Sequence, residues 1–194
     1  IRRQRQMCIR DRYMALTETP ICNFGEKAKD FSLKSTENKK ISLKDVKGEN
    51  GTLVMFICNH CPYVKAIIKD LVDDIKFLEG LGIKSVGIMS NDVKNYPDDS
   101  FENMISFSKA HSFSFPYLID ETQDVAKRYG AVCTPDFFGY NKNLELQYRG
   151  RIRELKELKP VRTGDSDLKK AMKLVYETGI GPKNQIPSMG CNIK

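Results

Sequence analysis

The sequence predicts an α/β fold in which a central mixed β-sheet is covered by helices on both faces. Short apolar runs of β-forming residues alternate with longer segments whose apolar residues recur every three or four positions, which is typical of strands alternating with amphipathic helices. Of the 194 residues, 40% are hydrophobic and 29% are charged, as in an ordinary globular domain with a sizeable core. No linker or internal repeat divides residues 14–194, so we predict one domain there.

The first thirteen residues are set apart from this domain. They show no apolar periodicity and do not begin with methionine, so we predict a non-native leader over residues 1–13 and a start at Met14. Five arginines and one aspartate lie in the leader, which therefore supplies four of the seven net positive charges. Without that basic arm, a nucleic-acid partner is not expected. No run of eighteen apolar residues predicts a membrane span.

The first half of the domain contains two buried strands with a long helix between them. Each strand is a short apolar run, and the helix carries apolar residues at three- and four-residue spacing. A Gly-Leu-Gly sequence after the helix is a typical C-cap. The predicted elements are a loose lead-in at 14–30, an edge hairpin around 31–43, a strand at 52–57, a helix from Pro62 to about Glu79 and a strand from Ile83 to Met89.

The second half adds shorter elements and an antiparallel hairpin. An Asn-Lys-Asn turn joins the hairpin strands, and the alternating Arg149, Arg151 and Arg153 at its end are typical of a solvated face. Ser100 or Asp99 and Asp165 or Ser166 are the candidate N-caps of two helices. The predicted elements are a helix after 97–100, a strand at 115–119, a helix at 122–129, strands Asp136–Tyr140 and Leu144–Arg149, a helix to about Glu177 and an irregular tail at 179–194.

The sequence Cys58-Asn59-His60-Cys61 lies where the first buried strand turns into the long helix. A helix N-terminus offers unpaired backbone N–H groups and positive partial charge, which favour a thiolate. A strand, a CxxC sequence and a helix in this order are typical of thiol–disulfide redox sites. We therefore predict that Cys58 and Cys61 are a catalytic redox pair.

Four stretches of sequence, one of which contains this motif, carry a family resemblance. They resemble the thioredoxin superfamily and, more narrowly, the peroxiredoxin-like branch of the alkyl hydroperoxide reductase/thiol-specific antioxidant (redoxin) family. The resemblance spans roughly residues 25–194 and implies a thioredoxin-like fold with an N-terminal β-hairpin extension. The stretches that carry it are Ala28–Leu33, Phe56–Val64, Val132–Asp136 and Pro187–Lys194.

The resemblance implies roles for individual residues. Cys58 matches the exposed nucleophilic cysteine of thioredoxins, and Cys61 matches the partner that resolves the mixed disulfide. Pro135 matches a cis-proline that faces the motif, and together with Thr134 it would shape the substrate groove. A protonated His60 between the cysteines would lower the pKa of Cys58. No organic cofactor is needed for this chemistry.

The sequence departs from the thioredoxin pattern and from the peroxiredoxin pattern. Thioredoxins have a buried aspartate on the strand before the motif, where this chain has Thr52. Peroxiredoxins have a PxxxTxxC pattern around their reactive cysteine. If Cys61 took that role, Val54 and Cys58 would stand where proline and threonine belong, which weakens the peroxidase interpretation.

The remaining cysteines allow alternatives. Cys133, two residues before Pro135, is either a third redox thiol or a small buried side chain. Cys191 is either a resolving thiol on a tail that folds back or an unreactive tail thiol, and Cys22 is expected to be inert. Outside the leader the number of cysteines is odd and has no framework spacing, so we expect a reducing, cytoplasmic location rather than a secreted scaffold.

The sequence thus predicts a thiol–disulfide oxidoreductase and antioxidant protein that acts on protein or low-molecular-weight disulfides and thiols. The first alternative is a thiol-dependent hydroperoxide reductase that passes through a sulfenic acid. The second is a redox-sensing or zinc-holding module without catalytic activity, in which His60, Cys133 or His111 would add ligands to the cysteine pair. We predict no bound metal, since no second CxxC or HxxxH sequence is present.

Overall fold

A computed structural model describes residues 16–19 and 23–194, so the predicted leader, Met14 and Cys22 lie outside the described residues. The helices are α1 (Leu43–Val46), α2 (Pro62–Gly80), α3 (Phe101–Ala110), α4 (Asp124–Tyr129) and α5 (Asp167–Thr178). The strands are β1 (Leu16–Glu18), β2 (Ser32–Ser35), β3 (Lys40–Ser42), β4 (Gly51–Phe56), β5 (Ile83–Met89), β6 (Tyr117–Ile119), β7 (Cys133–Thr134), β8 (Asp136–Asn141), β9 (Leu146–Tyr148), β10 (Leu155–Lys156), β11 (Lys159–Pro160) and β12 (Met189–Asn192).

The main sheet has seven strands in the order β3-β2-β6-β5-β4-β8-β9. Strands β4, β5 and β6 are parallel, and the other neighbours pair antiparallel, so the sheet is mixed as predicted. Strand β4 lies between β5 and β8, and Val54 is paired with Val86 on one side and with Phe138 on the other. The CxxC motif therefore begins at the carboxyl end of a central strand, where α/β sheets bind ligands.

Both faces of the sheet are covered. Leu53 and Met55 of β4 pack into one hydrophobic cluster with residues of α2, α3 and α5. Val54 and Phe56 point the other way, into a second cluster with residues of α1 and α4. This alternation follows from the two-residue period of a strand and confirms the predicted fold class. Among the described residues, no helix combines the length and the apolar character that crossing a membrane requires.

Local signals determine most helix boundaries. Helix α2 begins at Pro62, a favoured first position, and ends at Gly80, before a Gly82 with φ +73°. Ser100 caps α3 by accepting a hydrogen bond from the backbone N–H of Asn103 (3.3 Å), and Ser166 caps α5 in the same way. These serines decide between the predicted N-cap candidates.

The prediction of an irregular tail is wrong over Met189–Asn192. These residues form β12, which pairs antiparallel with β1 on one side and with β7 on the other. Its partners lie far away in the sequence, and its residues show no strand periodicity. No local signal was available for this strand.

The expected solvated face at Arg149 is also wrong. Its side chain is 5% exposed and forms an ion pair with the fully buried Asp136 (2.9 Å). The guanidinium also donates to the carbonyl of Gly130 (2.8 Å) and lies over the ring of Phe138. Burial raises the pKa of Asp136 to about 6, and the hydrogen bond from Arg149 opposes that rise.

Candidate active site

The two motif cysteines lie between β4 and α2. Cys58 follows the end of β4, and Cys61 is the N-cap residue of α2. Neither side chain is exposed to solvent, so the expectation of an exposed Cys58 is wrong. Their thiols hydrogen-bond each other, and no disulfide joins the four cysteines in the described part of the chain.

A third thiol lies against this pair. The Cys191 Sγ of β12 is 3.2 Å from the Cys61 Sγ. Thr134 contacts both motif cysteines, because its hydroxyl lies 3.3 Å from the Cys58 Sγ and its carbonyl accepts from the Cys61 thiol at 3.2 Å. Cys61 is therefore the central sulfur of a three-thiol cluster.

The electrostatics single out Cys61 as the thiolate. Hydrogen bonds with the thiols of Cys191 and Cys58, and then from the backbone N–H groups of Val64 and Cys191, lower the pKa of Cys61 despite its burial. The Thr134 carbonyl oxygen disfavours a thiolate at Cys61, because it has only lone pairs and cannot donate a hydrogen bond to the sulfur. The balance still favours ionisation at the start of the helix.

The predicted lowering at Cys58 is wrong. The hydrogen bond to Cys61, burial and the nearby charge of Asp99 raise the pKa of Cys58 well above its ordinary value. The physical reason is position, since Cys58 precedes the N-cap residue of the helix, is fully buried and lies near the charge of Asp99. The first cysteine of the motif is thus the proton-bearing partner of the second.

A buried carboxylate that the sequence suggested only as a helix N-cap holds the motif. Asp99 accepts hydrogen bonds from the backbone N–H groups of Asn59 (2.7 Å) and His60 (3.2 Å). It also accepts from the Asn91 side chain (2.8 Å) and contacts the His60 ring at 2.5 Å. The sequence Asp98-Asp99-Ser100 contains two more polar side chains than capping requires, and this surplus was the only available signal.

His60 is paired with this carboxylate and stacks on Tyr96. The hydrogen bond to Asp99 raises the pKa of His60, and burial opposes the rise. Burial would raise the pKa of Asp99, but hydrogen bonds from His60 and Asn91 lower it overall. The imidazolium therefore balances the charge of Asp99 and is also attracted by a Cys61 thiolate.

We expect the His60→Gln variant to lose about 1.5–3 kcal/mol of unfolding free energy at about pH 5, because a charge-assisted hydrogen bond is removed. The His60 contribution is fully present below its unfolded pKa of 6.5 and is lost as the pH rises through the raised folded pKa. The Asp99 carboxylate contributes to the unfolding free energy above its unfolded pKa of 3.8, and this contribution is lost as the pH falls through the lowered folded pKa. The difference between wild type and variant, measured by urea unfolding, should therefore shrink well above pH 6.5.

The matched control is His111→Gln, at the end of α3, where the imidazole packs on Phe107. Its loss at about pH 5 should be smaller than that of His60→Gln, because no ion pair joins His111 to a carboxylate among the described residues. A His60→Gln loss that is equal at about pH 5 and about pH 9 would show that the ion pair does not contribute.

Thr134 and Cys133, which precede Pro135, have side chains that face different parts of the molecule. The Thr134–Pro135 bond is cis, as the resemblance implied, and Thr134 faces the motif cysteines. The Cys133 thiol instead donates to the carbonyl of Pro135 (3.7 Å), because neighbouring strand residues point to opposite sides. Burial raises the pKa of Cys133, so the alternative of a small buried side chain fits better than that of a third redox thiol.

One group of metal-ligand types occurs among the described residues. The ligand atoms of Cys58, His60 and Asp99 lie within 4.8 Å of one another. His111 and Cys133, which were considered as zinc ligands, are not members. The His60 nitrogen and the Asp99 oxygen bind each other, so this donor set is already satisfied by internal hydrogen bonds.

An apolar groove opens beside Pro135. Its volume is about 290 Å³, and Tyr63 and Ile67 of α2 form one wall. Ile186 and Met189, which are 52% and 42% exposed, line the other side. The groove is therefore adjacent to the thiol cluster and to the strand that covers it.

The sequence and the fold match known proteins. The model of the AhpC/TSA family matches residues 24–155, more than half of the chain. The crystal structure of an uncharacterized conserved protein from Geobacillus kaustophilus has a TM-score of 0.88 and 38% identity, over 93% of this chain and 96% of that one. A hypothetical protein from Sinorhizobium meliloti has a TM-score of 0.85 and 36% identity, over 92% and 97%.

A relative with a named activity is more distant. The thiol-disulfide oxidoreductase ResA of Bacillus thuringiensis is 30% identical over 122 residues. The alignment spans 61% of this chain and 64% of ResA, less than two thirds of that protein.

Proposed function

The chain belongs to the AhpC/TSA family, and on that premise we propose that it is a thiol–disulfide oxidoreductase whose attacking sulfur is Cys61. The observation that carries the proposal is the place of this sulfur, at the start of α2 and between the thiols of Cys58 and Cys191. The similarity to ResA supports the same reaction class. This assignment exchanges the roles that the thioredoxin resemblance implied for the two motif cysteines.

The reaction proceeds in two exchange steps. Cys61 is buried beneath β12, so this strand must move aside before the Cys61 thiolate reaches a substrate. The thiolate then attacks one sulfur of a substrate disulfide, forming a mixed disulfide and releasing the other substrate sulfur, which takes up a proton. Cys58 then loses its proton and attacks the Cys61 sulfur, which releases the second substrate thiol. The substrate gains two electrons, and Cys58 and Cys61 become a disulfide. An external dithiol reverses the change and completes the cycle.

Asp99 and His60 act in this proposal as positioning residues. Asp99 fixes the backbone of the residues between the two cysteines through its hydrogen bonds to Asn59 and His60. The protonated His60 pairs with Asp99 and attracts a thiolate at Cys61. Asp99 is thus a buried carboxylate that holds the motif from a different part of the chain.

The groove beside Pro135 supports a protein substrate. Charged side chains such as Arg151 and Glu157 line part of it, but most of its wall is apolar. The exposed Ile186, Met189 and Leu158 would favour an apolar peptide next to the reacting disulfide. We propose low-molecular-weight disulfides as substrates as well. The odd number of cysteines in residues 14–194, which have no framework spacing, supports a cytoplasmic location.

The test is a paired assay of insulin reduction with dithiothreitol and of peroxide consumption coupled to a thioredoxin system. We expect faster insulin reduction than with dithiothreitol alone, and Cys133→Ala should match wild type, because Cys133 does not face the cluster. Peroxide turnover without insulin reduction would overturn the proposal. Inactivity in both assays together with stoichiometric zinc would overturn it in favour of a zinc-holding module.

A second candidate function is hydroperoxide reduction, and the observation that favours it is the 3.2 Å contact between the Cys61 and Cys191 sulfurs. A Cys61 thiolate that attacks the O–O bond becomes a sulfenic acid and releases an alcohol. An adjacent thiol then condenses with the sulfenic acid and releases water, which leaves a disulfide.

A further inference from the structure

Residues 188–194, which include β12, close over the thiol cluster. Strand β12 pairs with β7, with Cys191 opposite Thr134, and the Cys191 sulfur lies 3.2 Å from that of Cys61. Gly190 lets the strand lie directly on β7, because a Cβ atom at this position would come within 2.0 Å of the Thr134 carbonyl oxygen. We call residues 188–194 the strap, since they must move before a substrate reaches Cys61.

The first end of the strap is held by Thr19. The Thr19 hydroxyl accepts a hydrogen bond from the Ser188 N–H (3.2 Å), and the Thr19 N–H donates to the Ser188 carbonyl (3.0 Å). The Ser188 hydroxyl donates to the Pro135 carbonyl (2.6 Å). Thr19 and Ser188 are both buried, so these bonds are shielded from water while the strap is closed.

The other end is held by two side-chain amides. Gln123 donates to the main-chain oxygen of Lys194 (2.5 Å) and to the Ser90 carbonyl (2.7 Å), and the Asn91 side-chain oxygen accepts from the Lys194 N–H (2.8 Å). Gln123 has a φ of +61°, a left-handed conformation that favours glycine. The position therefore carries a long amide side chain against the preference of its backbone, and that side chain holds the strap.

Opening the strap affects two classes of substrate differently. When β12 leaves β7, main-chain groups of β7 lose their partners, which is unfavourable unless water or another backbone replaces them. An extended segment of a protein carries N–H and C=O groups that can pair with the edge of a strand. Hydroxyethyl disulfide has no such groups, so it reacts only during openings that occur without it.

We propose that the strap is a specificity-determining element that favours protein disulfides over small ones, and that Thr19 and Gln123 are its latches. This inference rests on the proposed function, because it concerns which disulfides reach Cys61. A protein segment that binds only the open form holds the strap open and shifts the equilibrium between the two forms. A small disulfide without that preference leaves the equilibrium unchanged.

Alkylation of the reduced full chain tests whether the strap is held in this way. Wild type and the latch variants Thr19→Val and Gln123→Ala are treated with N-ethylmaleimide and digested with trypsin. Tandem mass spectrometry of fragments 48–65 and 184–194 reports the labelling of Cys61 and Cys191. Loss of one hydrogen bond should make opening about fivefold more frequent, so both cysteines should be labelled faster by that same factor.

The matched control is Asn50→Ala. It removes the same kind of hydrogen bond, from a side-chain amide to the Leu81 carbonyl (2.9 Å), but lies before the other end of β4. Both labelling rates should stay at the wild-type value. Asn91→Ala is not used as a latch variant, because the Asn91 amide also donates to Asp99. Circular dichroism confirms folding, and the two latch variants at opposite ends of the strap allow for the failure of one.

Single-turnover kinetics test the selection between substrates. Reduced protein is mixed with an excess of hydroxyethyl disulfide or insulin, and the loss of the two motif thiols is followed after acid quenching. The protein dithiol loses two electrons, and the substrate disulfide gains them. With hydroxyethyl disulfide, the latch variants should react about fivefold faster at every concentration. With insulin, the concentration that gives half the maximal rate should fall about fivefold, and the maximal rate should stay at the wild-type value.

The outcomes separate this inference from the proposed function. Unchanged labelling in both folded latch variants overturns the inference, whereas insulin reduction by wild type then leaves the proposed function standing. A maximal insulin rate that rises as much as the rate with hydroxyethyl disulfide also overturns the inference, because the protein substrate then does not hold the strap open. Faster labelling in a protein that reduces neither disulfide overturns the proposed function and the selectivity together.

Discussion

The Cys61→Ser variant is expected to lose insulin reductase activity by a factor on the order of 10³ or more, because it removes the proposed attacking thiolate. A serine hydroxyl stays protonated at neutral pH and cannot form a disulfide. The lowered pKa of Cys61 predicts a thiolate that persists below the ordinary thiol range, near pH 8.5. Initial rates and the ultraviolet absorbance of the thiolate, followed against pH, measure both effects.

Cys58→Ser is the matched control, since it changes the other motif cysteine by the same atom. It should keep the acid-stable thiolate, because the hydrogen bonds from Cys191 and the Val64 backbone N–H remain. It should also accumulate mixed disulfides at Cys61. If Cys58→Ser removes the thiolate signal and Cys61→Ser retains it, the roles of the two cysteines are the reverse of those proposed.

The Arg149→Met variant is expected to lose about 3–5 kcal/mol of unfolding free energy, because it leaves the carboxylate of Asp136 buried without its partner. Asp136 is fully buried, and Arg149 is 5% exposed. Methionine retains most of the side-chain packing, so the loss reports the unpaired charge. Urea unfolding monitored by circular dichroism measures the change.

The loss of unfolding free energy in Arg149→Met should change with pH in one direction. Asp136 has a folded pKa of about 6, above its ordinary 3.8, so its contribution to stability is present below 3.8 and is lost as the pH rises through about 6. Without Arg149 the pKa rises further, so the cost of the variant should be largest above pH 6 and smaller in acid.

The control for Arg149→Met is Arg151→Met, whose ion pair with Asp167 is about one third exposed. It should cost no more than about 1 kcal/mol. The double variant Asp136→Asn/Arg149→Met should recover part of the loss, since an amide is cheaper to bury than a charge. Equal effects of the two arginine substitutions would contradict the prediction.

Much of the fold could be predicted from the sequence. Strand β5 spans Ile83–Met89 as predicted, and α2 differs from its predicted end by one residue. These elements have strong local signals, namely an uninterrupted apolar run, three- and four-residue periodicity and a glycine C-cap. Strand β12 has none of these signals, because pairing with β1 and β7 rather than local pattern makes it a strand.

The candidate site was predicted in part. The spacing of Cys58 and Cys61 and the strand-to-helix junction identified the motif, and the tail cysteine at 191 lies at the cluster. The choice of thiolate was wrong, because it depends on which sulfur receives hydrogen bonds. Asp99 was missed for a related reason, since its four donors come from segments that are not adjacent to it in sequence.

The sequence by itself determined the fold class, the central strand, the long helix and the presence of a dithiol at their junction, because propensity and periodicity act between near neighbours. Tertiary structure alone decided which cysteine ionises, which carboxylate holds the motif and that β12 covers it. The reason is physical: burial, hydrogen bonding and charge–charge distance set pKa values and thiol contacts, and all three depend on groups that only folding brings together.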